Sequence, residues 1–336
     1  MLDFRLKENR REAFIRWYVW GLRTTDCDPA LGLMKYIFER QELNVEQRLW
    51  VCWLYGCTYY LPTAYLIYNE FPDYENVDLD RLTRWNAANY KRLRYQTDTK
   101  YNKGHLPAQF ASYREVMGAS QKRSLEPLLQ SGPKNSYSAL LALAKGRLHK
   151  FGRYTSWFYL QALRECAGLP LEPLSLLLGQ DGSESHTNGL CYALGRDELV
   201  TTYYEGSQKL RRPAAWDCEQ LQLEADMLLA EIEERFPDVR ADYFTMETAL
   251  CSFKKLFRKR QGRYLGYYLD RQAEEIRQLE QDGWNGVDWQ LLWDYRAERL
   301  RPEIAPRSAK IRPEHWGHFL ASGSLQGLGL YEDLAN

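Results

Sequence analysis

Apolar positions recur at helical spacing along most of this chain. Residues 7–22 gather Phe14, Ile15, Trp17, Tyr18 and Trp20 into one aromatic-rich helix. Asp28 followed by Pro29 predicts a cap and a first turn for a helix reaching Arg40. Asn44-Val45-Glu46-Gln47 reads as a capping box, opening an apolar run that breaks at Pro62 and ends at Phe71-Pro72. Leu79, Leu82 and Trp85 mark a helix over 78–89, and short helices follow over 108–130 up to the break Ser131-Gly132-Pro133. Tyr137–Lys145, rich in Ala and Leu, predicts a helix, and Trp157, Phe158, Leu160 and Leu163 predict another. Further helices are expected over Asp197–Tyr204, Trp216–Phe236, Met246–Arg260 and Gly262–Leu279, and through Trp289, Leu292, Trp293 and Arg296. Pro302, Pro306 and Pro313 mark a looser tail. No stretch shows strand alternation and no repeat is present, so the expected fold is all-α.

The turn Lys150-Phe151-Gly152-Arg153-Tyr154-Thr155 joins two of these helices and organises the rest of the reading. Thr155 is expected to cap the second helix, and Gly152 to let its backbone approach a ligand closely. The unpaired N–H groups at that helix start suit a phosphate, with Lys150 and Arg153 as flanking cations. This is the logic of a helix-hairpin-helix element gripping a nucleic-acid backbone. An ordinary helical hairpin with a glycine cap accounts for the same residues.

Composition narrows the classes. The 336 residues include 24 Tyr and 11 Trp, side chains that stack on bases or fill irregular cores. Lys plus Arg and Asp plus Glu both total 45, so any nucleic-acid binding must come from local charge. The charge is segregated. Lys254, Lys255, Arg258, Lys259, Arg260 and Arg263 form an acid-free run, and residues 219–234 an acidic one. A solvated helix face is the alternative for each. The seven cysteines and five histidines are dispersed without C-x-x-C spacing, which predicts reduced thiols in a cytoplasmic protein, no disulfide framework and no metal site. Val51–Tyr68 is uncharged, but Gly56, Pro62 and its tyrosines mark core helices rather than a membrane span. P-loop, dinucleotide-binding and nucleophile-elbow motifs are missing, which argues against kinases, dehydrogenases and serine hydrolases of those types.

Two polar stretches could carry chemistry. Asp181, Ser183, Glu184, Ser185 and His186 follow the Leu174–Leu178 run, and Asp181 or Glu184 could accept a proton or hold an ammonium. Helix capping by Asp181 or Ser183 is the alternative. The irregular segment Arg92–Pro107 mixes Arg92, Arg94, Lys100, Tyr101, Lys103 and His105, and its cations could neutralise a pyrophosphate, with Mg²⁺ as a candidate companion ion. A solvated connector is the alternative there.

Several stretches together resemble the phage amino acid:DNA transferases, also described as α-glutamyl/putrescinyl thymine pyrophosphorylases. They are Trp17–Arg40 with Asp26-Cys27-Asp28-Pro29, Phe71–Lys103 ending in Tyr101-Asn102-Lys103-Gly104, and Phe151–Phe158 with Asp181-Gly182-Ser183 downstream. Gly286-Val287-Asp288-Trp289 and Leu292–Arg296 extend the likeness. The resemblance implies a fold like that of the helix-hairpin-helix DNA glycosylases with additional C-terminal helices. A core over 1–205, with the hairpin near 137–166, would then carry a helical extension over 206–336. It implies DNA whose thymine bears a pyrophosphorylated hydroxymethyl group at C5. A free amino acid such as glycine, or a polyamine, would displace the pyrophosphate, with no membrane involved and the host cytoplasm as location. Asp181, Glu184 and Lys103 are the expected catalytic residues; Lys150, Gly152, Arg153 and Thr155 would bind DNA. Arg92, Arg94 and Lys100 would hold pyrophosphate, with Asp26, Asp28, Tyr101 and His186 as further candidates and Tyr55, Tyr59, Tyr60 and Tyr65 as stacking groups for an extruded base. A DNA glycosylase or lyase and a non-catalytic DNA-binding module are the competing readings.

Overall fold

The computed structural model describes residues 3–205, 208–258, 262–300, 317 and 321–323. In chain order its helices are α1 (Arg10–Thr24), α2 (Pro29–Arg40), α3 (Val45–Thr58), α4 (Leu61–Glu70), α5 (Leu79–Asn89), α6 (Leu106–Met117) and α7 (Gln121–Leu125). Next come α8 (Pro133–Arg147), α9 (Arg153–Glu165) and α10 (Glu184–Ala193). A hairpin of β1 (Thr202–Glu205) and β2 (Gln208–Arg211) precedes α11 (Cys218–Arg235), α12 (Tyr243–Phe253), α13 (Tyr267–Gln281) and α14 (Trp289–Arg299). The fold is all-α apart from that hairpin, and no described helix is long and apolar enough to cross a membrane.

The local signals act where they were expected. Asn44 and Gln47 close a reciprocal capping box and Pro62 falls in the first turn of α4; Asp78, not singled out in the sequence, also caps α5 by accepting from the Arg81 N–H. The hairpin is a departure from the expected helix over Asp197–Tyr204. Only Asp197–Leu199 form a 3-10 turn, after which Tyr203 pairs with Leu210 and Thr202 with Arg211. Thr202-Tyr203-Tyr204 carries β-branched and aromatic residues, and four residues are too few to display alternation. The helix expected over Met246–Arg260 ends at Phe253 and continues as a 3-10 turn, Lys254–Phe257. The tail prolines lie outside the described residues.

The chain divides into two compact units that interleave in sequence. The first comprises residues 1–29, 175–273 and 300–336, the second 30–174 and 274–299. In the first unit α1, α10, α11 and α12 surround a core of Phe14, Trp17, Leu190, Leu228, Leu250 and Phe253. Gly189 lets α10 approach α12, since a Cβ there would lie 2.2 Å from the Leu250 carbonyl oxygen. The second unit is packed by aromatics: Trp50 stacks on Trp53 at 5.0 Å, Trp53 on Tyr113 at 4.7 Å, and Tyr59 on Phe158 at 3.6 Å. Tyr55, Tyr60 and Tyr65 are buried, so they serve this core, as packing of the apolar run requires.

Candidate functional site

In the second unit, the α8–α9 turn is built differently from its sequence reading. The left-handed residue is Lys150, at φ 58°, whereas Gly152 is extended at φ −78° and is itself the cap residue of α9. A Cβ on Gly152 would meet nothing within 4 Å. Neither conformation nor internal packing demands glycine here, which leaves its backbone open to close approach from outside. Thr155 is the third residue of α9 and is buried, so it does not cap. Arg153 is also buried, with its guanidinium 5.3 Å from the centre of the Trp157 ring. As first residue of a helix buried almost all round, it lays its stem on the core. Of the four expected DNA contacts, Lys150 and Gly152 reach solvent.

The irregular basic segment comes to the same place. Lys100–His105 form a 3-10 turn, and the His105 ring lies 5.8 Å from that of His149, beside Lys150. The His149 N–H donates to Ser112 Oγ at 2.8 Å, tying the hairpin turn to α6. Burial, then the charges of Lys150 and His149, lower the His105 pKa. Desolvation, then Arg94, lowers that of the half-buried Lys103. Tyr101 is 74% exposed with the Lys100 ammonium 4.9 Å from its ring centre. The result is a ledge of Lys100, Lys103, His105, His149 and Lys150 flanking an exposed tyrosine and an unencumbered glycine. Cations along a backbone track beside an aromatic platform suit a nucleic-acid strand.

The expected pyrophosphate arginines are held from behind. Arg94 donates to both carboxylate oxygens of Asp282, at 2.8 and 3.0 Å, and Arg92 donates to the Asp282 carbonyl at 3.1 Å with its guanidinium 4.2 Å from the Trp284 ring centre. Arg94 could serve a second anion only by sharing its fork with Asp282.

The first unit carries the acidic candidates. Asp181 is exposed in a turn bounded by Gly179 and Gly182, both left-handed at φ 71° and 79°. The helix beyond starts at Glu184 with Ser183 at the cap position, as the capping alternative expects, but Ser183 makes no side-chain cap bond. Of the Leu174–Leu178 run, Leu176 is buried but Leu174 is 53% exposed. Glu184 accepts from the hydroxyls of Thr201 and Thr202, and the Thr202 hydroxyl, followed by that of Thr201, holds its carboxylate below the usual range. Asn188 exchanges hydrogen bonds with Thr201, so β1 is fastened to α10 through a polar network. Nothing in the sequence marks Asn188 or Thr201.

Beside Glu184, the basic run turns inward. Lys254, Lys255, Arg258 and Arg263 are half-buried rather than spread on a solvated face, while Lys259 and Arg260 lie outside the described residues. Lys254 donates to Ser185 Oγ at 2.8 Å. Desolvation, followed by the charge of Arg263, pulls Lys255 down to about 7. An anion placed beside Lys255 would favour its charged form. His186 is fully buried; its Nε2 meets the Leu176 carbonyl at 3.0 Å and its Nδ1 meets Glu247 Oε1 at 3.2 Å. Candidate metal-ligating atoms of His186, Glu247 and Cys251 lie within 4.8 Å of one another.

Asp26 has a structural explanation. It is buried, and its two oxygens accept from the Gly266 and Leu269 backbone N–H groups at 3.0 and 2.9 Å, at the start of α13. Asp28 is half-buried directly before Pro29.

The family model described as Amino acid:DNA transferase matches residues 23–261 of this chain. A curated relative, the Serinyltransferase of Salmonella phage ViI, is 29% identical over 340 residues, spanning 94% of this chain and 80% of its own length. No solved structure matches.

Proposed function

Since the chain belongs to the amino acid:DNA transferase family and is a transferase acting on DNA with an amino acid, we propose that its substrate is DNA bearing pyrophosphorylated 5-hydroxymethyluracil. The amino-acid nitrogen attacks the C5-methylene carbon, a C–N bond forms, and the C–O bond to pyrophosphate breaks with its electrons leaving on the phosphate. The ammonium must first lose a proton. Asp181 or Glu184 takes that role, and the exposure of both is compatible with a diffusing donor. Lys254, Lys255, Arg258 and Arg263 neutralise the leaving pyrophosphate. Arg92, Lys100, Lys103 and Lys150, with Gly152, hold the DNA strand, and Tyr101 stacks on one of its bases. Serine is the first donor to test, given the name of the phage relative, with glycine and putrescine beside it.

The family match carries the transfer chemistry, and the 5.8 Å approach of His105 to His149, which joins the basic segment and the hairpin turn into one ledge, supports the DNA-holding part of this reading. The test is mass spectrometry of nucleosides after incubating the protein with pyrophosphorylated-hydroxymethyluracil DNA and each amine. A base heavier by the amine residue is expected. Loss of the base would point instead to a glycosylase, and an unchanged base to a binding module. Of Asp181→Asn and Glu184→Gln, the one that removes the base should abolish turnover while DNA binding stays within about twofold; full activity in either variant removes that residue from the reaction.

A further inference from the structure

We propose that His186, Glu247 and Cys251 form a transition-metal site in the first unit and that it takes zinc. Glu247 and Cys251 stand four residues apart on α12, one turn of one helical face. His186 reaches them from α10, whose close approach to α12 depends on Gly189. The histidine is oriented as metal-bound imidazoles are. A backbone carbonyl can only accept, so the contact with Leu176 O puts the proton on Nε2 and aims the Nδ1 lone pair at Glu247. A lone pair and a carboxylate oxygen 3.2 Å apart require a cation between them, either a proton or a metal ion.

The donor set selects the metal. Thiolate with imidazole and one carboxylate suits zinc and disfavours magnesium and calcium, which prefer oxygen alone. Charge closes as well, since the ionised Glu247 and Cys251 cancel a divalent ion. That balance matters beside Lys254 and Lys255, which would resist an uncompensated cation and would favour the thiolate once formed. Metal binding would displace the Cys251 thiol proton, because only the thiolate is a ligand. Ligand atoms within 4.8 Å need about an ångström of side-chain adjustment to meet zinc at roughly 2.0–2.3 Å. Three protein ligands would leave a fourth position open.

The full chain, treated with chelator and dialysed, is titrated with Co²⁺ alone. One equivalent should produce a thiolate-to-cobalt charge-transfer band in the near ultraviolet, which one equivalent of Zn²⁺ removes. Cys251→Ser should lose the band while keeping the helical circular-dichroism spectrum, and Cys218→Ser should keep it. Glu247→Gln should weaken cobalt binding by about tenfold or more. No band in the native chain, or one that survives Cys251→Ser, overturns the assignment. Should Cys251→Ser not fold, Cys251→Ala replaces it, and the native titration alone still decides against the site if it is silent.

Discussion

Gly152 at the α8–α9 turn and Gly189 in the seam of α10 and α12 use the same residue type for opposite purposes. Gly189 has the Leu250 backbone against the place where its Cβ would stand, so glycine there serves the fold. Gly152 has open space and an ordinary φ, so the protein's interior gives no reason for it beyond a modest capping preference. A glycine that the interior explains is a packing residue. One that the interior leaves unexplained directs attention to what comes from outside. The side chains around the two follow the same division. Around Gly152 lie solvent-facing cations from neighbouring turns, and around Gly189 lie buried polar groups that separate helices bring together.

The largest expected effect tests that contrast on stability. Gly189→Ala must push α10 off α12 and should cost about 3 kcal/mol or more in urea unfolding, whereas Gly152→Ala should cost no more than about 1 kcal/mol. Equal losses would erase the distinction. Next comes Asp26→Ala, which leaves two backbone N–H groups at the start of α13 unpaired and should cost about 2–4 kcal/mol by the same measurement.

Asp26 also predicts a pH dependence. Burial, against the bonds from Leu269 and Gly266, raises its pKa to about 8. A carboxyl raised on folding binds a proton that the unfolded chain has released. Its contribution therefore falls as pH climbs from about 4 to about 8, by up to about 1.4 kcal/mol per unit. Asp26→Asn should flatten the stability–pH profile across that window; an unchanged slope would show that Asp26 is ionised when folded.

Smaller effects separate the two sites by salt. Lys103→Ala and Lys150→Ala should each lower the slope of log affinity for DNA against log salt by about one where a phosphate contact is lost. Lys255→Ala should leave that slope alone and slow turnover instead. Glu184→Gln is the mildest for stability. The lowered carboxylate contributes above the ordinary carboxylate range and loses that contribution as pH falls through it, so at pH 7 the exposed Glu184 should account for less than about 1 kcal/mol.

Local signals were legible at two helix starts: the Asn44–Gln47 box and the break at Pro62 stand where local chemistry put them. The basic segment and the hairpin were legible as separate stretches, but their meeting through His105 and His149 was not. Two local readings failed for a shared reason. Thr155 and Arg153 looked available, but α9 is buried on nearly every side, and a short window does not reveal how much of a helix its neighbours cover. The Thr202–Arg211 hairpin was missed because four-residue strands hold too few positions to show a period.

By itself, then, the order of residues determined an all-α chain, several of its helix starts, the position of its charged and aromatic segments, and, through resemblance, the family. These rest on hydrogen bonds and spacings within a turn or two, which are written along the chain. Tertiary structure decided which glycine is open, which cations are drawn inward, and that His186 stands beside Glu247 and Cys251. The last of these depends on how closely α10 packs on α12, a distance set by side-chain volumes far apart in sequence.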